Sequence, residues 1–202
     1  MLRIIRLASR SELAFSRPEH DPDVDRVKEL IESGPGTYVL ILHVGRAKAL
    51  AIGALGKLKL VPGYYGYVGS AFGPGGLRAR LTHHLKGTSR PHWHIDYLRR
   101  QVKIAEIWFS SATARQEHAW ARAFQATPGV VIAAPRFGAS DCQCASHLFS
   151  FAEPVLTTLR DCLDSIGAPL SRLDRGFDVA VASASRPKIV ERAQPEDTGS
   201  PE

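Results

Sequence analysis

Apolar and polar positions change period several times along the 202-residue chain, and each change marks an element. Val24, Val27, Leu30 and Ile31 recur at helical spacing. Asp21-Pro22-Asp23 can cap that helix, predicted over about residues 24–33, and Gly34-Pro35-Gly36 ends it. Residues 37–44 form a dense apolar run that predicts a strand. Gly45-Arg46-Ala47 reads as a turn, and the apolar pieces 49–52 and 58–61, around Gly53 and Gly56, predict a hairpin. After the Pro62-Gly63 turn, residues 64–68 form an aromatic, half-alternating strand. A glycine-rich turn then leads into Leu77, Arg80, Leu81, His84 and Leu85 at helical spacing, which puts Arg80 and His84 one turn apart on one face.

Downstream the pattern is less decisive. In residues 92–100, Trp93, Tyr97 and Leu98 could share a helical face while Ile95 could belong to a strand. Residues 105–109 predict a third strand. Residues 113–126 predict a helix, with Thr113 and Gln116 at capping-box spacing and Ala119, Trp120, Ala123 and Phe124 on its apolar face. Thr127-Pro128-Gly129 stops it, Val130 to Ile132 add a strand or core, and residues 149–163 close the domain with a short helix after Pro154. The expected fold is α/β of the α+β kind: a small, mainly antiparallel sheet of at least three strands flanked by helices. It should span residues 23–165, between a flexible N-terminus (1–22) and a mostly flexible tail (166–202).

Composition sharpens this picture at three points. The hydrophobic share of 44% places the chain among globular proteins. No apolar run is long enough for a membrane span, and the Arg-rich first residues have no apolar core of secretory length. Three cysteines, an odd number, make no disulfide framework and fit a reducing cytoplasm. The net charge of +6 is unevenly placed: residues 33–95 contain no Asp or Glu but carry eight Lys or Arg. An acid-free basic stretch suits a polyanion such as DNA; a solvated basic face without a partner is the alternative.

The same stretch carries the chemistry. Gly36-Thr37-Tyr38 and Tyr67-Val68-Gly69 sit on the two strands, and Leu77-x-x-Arg80-Leu81-x-x-His84 follows. In that order these motifs resemble the GIY-YIG nuclease superfamily. Two further segments, HWHIDYL at 92–98 and FGASDCQCASHLF at 137–149, are similar to one small prokaryotic branch of it. The resemblance covers roughly residues 34–151. The 28 residues between the two tyrosine motifs exceed the family's usual spacing, which points to a lengthened strand-turn-strand excursion.

The resemblance implies a divalent-metal-dependent DNA endonuclease, with DNA repair as one setting. It places Tyr38 near the attacking water, Arg80 on the phosphate, and a later-helix glutamate on one metal ion, Mg²⁺ or another divalent cation. Glu117 is chosen over Glu106 because it is the only acid in the helix after the third strand. Tyr67 and His84 complete the catalytic set; Gly69, Arg78 and Lys86 are taken as substrate contacts. A tyrosine base has an unperturbed pKa of about 10, so a nearby cation must favour its phenolate. Taken singly, each residue has a plainer role: tyrosines beside glycine pack, and a lone arginine or glutamate is solvated. Gly69 itself would let the chain turn sharply or a phosphate approach closely. Cys142, Cys144 and His147 form C-x-C-x-x-H, which His92, His94 or Asp96 could complete as a zinc site. That spacing is tighter than the usual C-x-x-C, so zinc is not the expected cofactor. A non-catalytic nucleic-acid-binding module of the same fold, and a zinc-stabilised interaction protein, are the competing expectations.

Overall fold

A computed structural model describes residues 22–166, 170–174 and 179–181. The chain runs α1 (Pro22–Leu30), β1 (Thr37–Val44), β2 (Lys48–Ala51), a 3₁₀ turn (Gly53–Leu55), β3 (Lys57–Leu60) and β4 (Gly63–Ser70). It continues with α2 (Gly76–Lys86), α3 (His94–Arg99), β5 (Lys103–Ser110), α4 (Glu117–Ala126), β6 (Val131–Ile132) and β7 (Leu148–Phe151). Then come α5 (Val155–Ser165), β8 (Ser171–Asp174) and β9 (Val179–Val181). The main sheet has the order β6-β7-β4-β1-β5-β8-β9, and its neighbouring strands pair antiparallel. A second, two-stranded sheet pairs β2 with β3. This is the expected α+β arrangement.

The sequence of β1, TYVLILHV, explains its place. Only His43 in it is exposed. A strand covered on both faces needs apolar side chains at odd and even positions alike, and successive side chains point to opposite faces. Tyr38, Leu40, Leu42 and Val44 therefore join Val24 and Val27 of α1, Leu77, Leu81 and Leu85 of α2, and Ile95 and Leu98 of α3 in one core. Val39 and Ile41 join Trp120 and Phe124 of α4 and Leu159 and Leu163 of α5 in another. Trp120 and Phe124 are fully buried, and truncating either to Ala should cost about 3–5 kcal/mol.

The Gly34-Pro35-Gly36 segment sets α2 against the sheet. The Gly34 carbonyl accepts from Leu77 N–H at 2.9 Å and the Gly36 carbonyl from Ala71 N–H at 2.8 Å. A side chain at Gly36 would collide with the Ser110 carbonyl and with Leu77. The first glycine of the GTY motif thus brings β1, β5 and α2 into contact.

The long interval between the tyrosine motifs is the β2–β3 hairpin, as the excess length implied. Its Ile52, Leu58 and Leu60 enter the first core. The HWHIDYL segment, open between helix and strand in the sequence, forms α3. Asp96 fixes its start: Oδ2 accepts from the N–H groups of His92 and Trp93, both at 3.0 Å. The helix expected over 113–126 begins only at Glu117. Thr113 and Gln116 form no capping box there; the Gln116 N–H donates instead to Thr37 Oγ1 at 3.2 Å and ties the start of α4 to β1. Strands β8 and β9 lie within the stretch assigned to a mostly flexible tail. Residues 1–21 and 182–202, most of the two expected tails, lie outside the described residues. No described helix is long and apolar enough to cross a membrane.

Candidate functional site

Strands β1 and β4 pair so that Tyr38 faces Gly69 directly. Both tyrosines point to the α2 side of the sheet, with ring centroids 6.5 Å apart. Helix α2 brings Arg80 and His84 over them, one turn apart on one face. The start of α4 brings Glu117 from the other side of β1. All five side chains line one polar cleft of about 370 Å³. The five candidates for catalysis and metal binding are therefore brought together.

Gly69 serves this geometry in a way its sequence context does not indicate. A Cβ at that position would lie 2.5 Å from both Cζ and the hydroxyl oxygen of Tyr38. Glycine there makes room for a tyrosine ring. Arg78 and Lys86, the other expected substrate contacts, do not line the cleft. The Arg78 Nε–H donates to the Ile31 carbonyl at 2.6 Å, joining α2 to the end of α1, and Lys86 is exposed at the last turn of α2. Glu106, the other acid weighed for the metal, accepts from the Trp108 indole at 2.8 Å and does not line the cleft.

Further residues of the cleft lie outside the set of expected site residues, among them Ser70, Trp93, Arg115, His118 and a second acid, Asp141. Trp93 lies under Arg80, with the guanidinium carbon 4.1 Å from the ring centroid. A guanidinium stacked on an aromatic face keeps its donor edge free for an anion. Arg115 stands over Phe72 in the same manner at 4.6 Å. Ser70 donates to Glu117 Oε2 at 2.6 Å. Its signal in the sequence is its place, one residue beyond the second tyrosine motif. Trp93 and Arg115 have no such signal, since neither shares a motif with its partner.

The electrostatics differ from the expectation of a phenolate base. Tyr38 is buried, and its hydroxyl lies 2.7 Å from His84 Nε2. Burial, aided by neighbouring Tyr67, holds the Tyr38 phenol well above its ordinary value, and the opposing pull of Arg80 does not overcome it. Tyr67 is raised for the same leading reason, with Glu117 adding to it. His84 is driven down to about 3 by burial, then by His83 and Arg80. At neutral pH the pair is thus a phenol and a neutral imidazole. His84 Nδ1 is buried without a hydrogen-bond partner. If Nε2 carries the proton it donates to the Tyr38 oxygen, and the Tyr38 O–H is left to face the cleft. If Nδ1 carries it, the Tyr38 O–H donates to Nε2 instead. Nδ1 lacks a partner in both, as an unpaired acceptor in the first and an unpaired donor in the second.

Burial by itself would raise the Glu117 carboxyl, but His147 and the Ser70 hydroxyl outweigh it, and the group lies below its ordinary range. It is a carboxylate in the resting cleft. Oε2 accepts from Ser70 and Oε1 lies 3.2 Å from His147 Nδ1. Each carboxylate oxygen has two lone pairs, so the group retains capacity for a hard cation such as Mg²⁺, which takes few protein ligands and keeps waters.

The cysteine motif lies at the edge of the same cleft. Its fourth partner is not His92, His94 or Asp96. His94 Nδ1 accepts from Gly138 N–H at 3.1 Å, and Asp96 Oδ1 lies 2.9 Å from His83 Nε2. His118, beside Glu117 on α4, takes the place: one ligand atom each from His118, Cys142, Cys144 and His147 lies within 4.8 Å of every other.

No curated protein and no solved structure matches the chain. One family model does, over residues 37–168, a span that begins at β1, covers every residue of the cleft and extends beyond α5. On that match over well more than half its length, the chain belongs to the family described as domain of unknown function DUF123.

Proposed function

We propose that this protein is a divalent-metal-dependent endonuclease that hydrolyses phosphodiester bonds in DNA, of the GIY-YIG type its motifs resemble. The observation that carries the proposal is the convergence of Tyr38, Tyr67, Arg80, His84 and Glu117, drawn from four separate elements, on one cleft. Tyr38 and Tyr67 also pack in the core beneath the cleft, but core packing gives Arg80, His84 and Glu117 no reason to meet there. Together the five match a phosphodiester: a planar fork for two oxygens, two hydroxyl donors and a carboxylate.

In this reading Arg80, fixed in plane by Trp93, holds two non-bridging oxygens of the phosphate. The Tyr38 oxygen accepts from His84 Nε2–H, and its own proton points to the attacking water or a phosphate oxygen. Tyr38 then orients and donates; with its pKa raised it does not start as the base. Tyr67 supplies a second donor where charge develops, and donors aimed at developing charge are the largest contribution in many active sites. Glu117, held by Ser70, would be the protein ligand of a divalent cation, which when bound supplies charge neutralisation at the phosphate and an acidified water. The acid-free basic segment, which includes β1, β4 and α2, would draw the DNA backbone toward this face.

A second reading is favoured by one observation. Both Glu117 oxygens already face neighbours, Ser70 and His147. If those contacts outcompete a cation, the cleft binds a phosphate without cutting, and the protein is a nucleic-acid-binding module. The separating experiment is nicking of supercoiled plasmid in Mg²⁺ by wild type and Glu117→Gln, beside a duplex-binding titration. Cleavage by wild type and none by Glu117→Gln, with binding retained in both, supports the nuclease. Binding without cleavage by wild type supports the module. Equal cleavage by both proteins removes the site from this cleft.

A further inference from the structure

The loop from residue 133 to 147 is built more tightly than its lack of regular structure requires. Arg136 is the only non-glycine residue with positive φ among those described, at 60°. Its Nη1 donates to the carbonyls of Cys142 and Cys144, at 2.8 and 3.0 Å. Its backbone N–H donates to the Ala145 carbonyl at 2.7 Å, and the His147 N–H to the Phe137 carbonyl at 2.8 Å. A residue held in the left-handed region persists only where its surroundings over-determine it. Here those surroundings are the carbonyls of the two cysteines, which fixes the backbone at both; their thiols lie within 4.8 Å of each other.

We propose that His118, Cys142, Cys144 and His147 bind one zinc ion, and that the ion fastens this loop to the start of α4. The distances support a single tetrahedral ion. Zinc bonds of about 2.0–2.3 Å place neighbouring ligand atoms about 3.3–3.8 Å apart. Cys142 Sγ lies 3.5 Å from His147 Nε2, and Cys144 Sγ lies 3.3 Å from His118 Nδ1. Two sulfurs and two imidazoles select zinc over the hard cations Mg²⁺ and Ca²⁺. The three cysteines of the chain form no disulfide, so both thiols of the motif remain available. Two thiolates balance the charge of the ion, and binding releases their two protons to solvent.

His147 gives the site its consequence. With Nε2 on the ion, its other ring nitrogen faces Glu117 Oε1 at 3.2 Å. A carboxylate on the far nitrogen of a ligating histidine fixes the ring and strengthens the ligand. Glu117 is therefore shared, with one oxygen toward the zinc histidine and the same carboxylate lining the polar cleft. The ion positions the cleft's carboxylate without touching it.

The test is metal content, which needs no DNA and stands or falls apart from cleavage. Tag-free protein, purified without chelator, should contain about one zinc per chain. His118→Ala alters an exposed side chain and should fold, yet lose most of the zinc. Cys142→Ser and Cys144→Ser should lose it as well. Cobalt replacing the zinc should show the thiolate charge-transfer band and the intense d–d bands of a tetrahedral S₂N₂ site. Glu117→Ala should still bind zinc, with affinity lower by roughly 10–100-fold. Folded wild type with less than a tenth of an equivalent of zinc, and both motif thiols open to a thiol reagent, would overturn the site. Full zinc affinity in Glu117→Ala would overturn the link to the cleft. A protein that holds zinc and cuts nothing leaves this inference standing and refutes the nuclease; one that cuts without zinc does the reverse.

Discussion

Replacing Gly69 with Ala adds one methyl group directly against Tyr38. The new Cβ would sit 2.5 Å from Cζ and from the hydroxyl oxygen, and 3.0 Å from Cε2. Carbon atoms rest about 3.5–4.0 Å apart, so the ring must retreat by about 1 Å. It has little room, because Tyr67 and His84 flank it at centroid distances of 6.5 and 5.3 Å. The 2.7 Å contact with His84 is the first thing to stretch. Overpacking of this kind costs about 1–3 kcal/mol, and the lost hydrogen bond about 1 kcal/mol more. Urea denaturation should therefore find Gly69→Ala destabilised by about 2–4 kcal/mol. The cause can be isolated with Tyr38→Leu, which lacks Cζ, Cε2 and the hydroxyl. In that background Gly69→Ala should cost less than about 0.5 kcal/mol, giving a coupling of about 2 kcal/mol in a double-mutant cycle. Strict additivity of the two substitutions would refute the argument that Gly69 exists to seat Tyr38.

Further expectations concern the remaining groups of the cleft. Arg80→Lys keeps the charge but loses the fork and the stacking on Trp93, so single-turnover cleavage should fall by roughly 10² or more while duplex binding changes little. His84, facing Tyr38, His83, Arg80, Asp96 and Arg99, is lowered from 6.5 to about 3. Its folded pKa is the depressed one, so the unfolded state binds the proton first and stability is lost as pH falls. From pH 6.5 to 4.5 that loss is about 2 kcal/mol, and His84→Gln should lose less stability over that interval by that amount in chemical denaturation. Duplex binding should weaken with salt, by about a hundredfold between roughly 50 and 200 mM if four phosphates are contacted. Affinity that ignores salt would remove the basic segment from the interface.

Much of this arrangement is legible in the amino-acid sequence, because it rests on local periodicity. Tyr38, Tyr67, Arg80 and His84 lie on two strands and a helix whose patterns are plain, and short-range spacing fixes which face each occupies. Glu117 is legible only through the resemblance, which implies a glutamate on a later helix where it is the only acid. The residues that sequence reasoning misses share one physical trait: their partners are distant along the chain. Trp93 finds Arg80 through the packing of α3 on α2, and His118 finds Cys144 across 26 positions. No periodicity encodes such meetings. The start of α4 departs from its expected place because the Gln116 N–H is satisfied by Thr37, 79 residues away, and not by a local cap. Arg78 resembles a phosphate contact because basic charge in sequence says nothing of a carbonyl at the end of α1 that claims it.

Strand β1 is hydrogen-bonded on both edges, to β4 and to β5. Its amides point alternately to the two ladders, so exposing all of them to solvent requires both to break, which for a central strand means unfolding of the whole domain. Tyr38 therefore belongs to the slowest-exchanging unit of the protein. The facing wall, residues 133–147, lacks such a double ladder; it is anchored by Phe137 in the core, by the His147 carbonyl on Val68 N–H and by Arg136. Its amides outside these contacts should exchange before those of β1, and the ion proposed above would slow them.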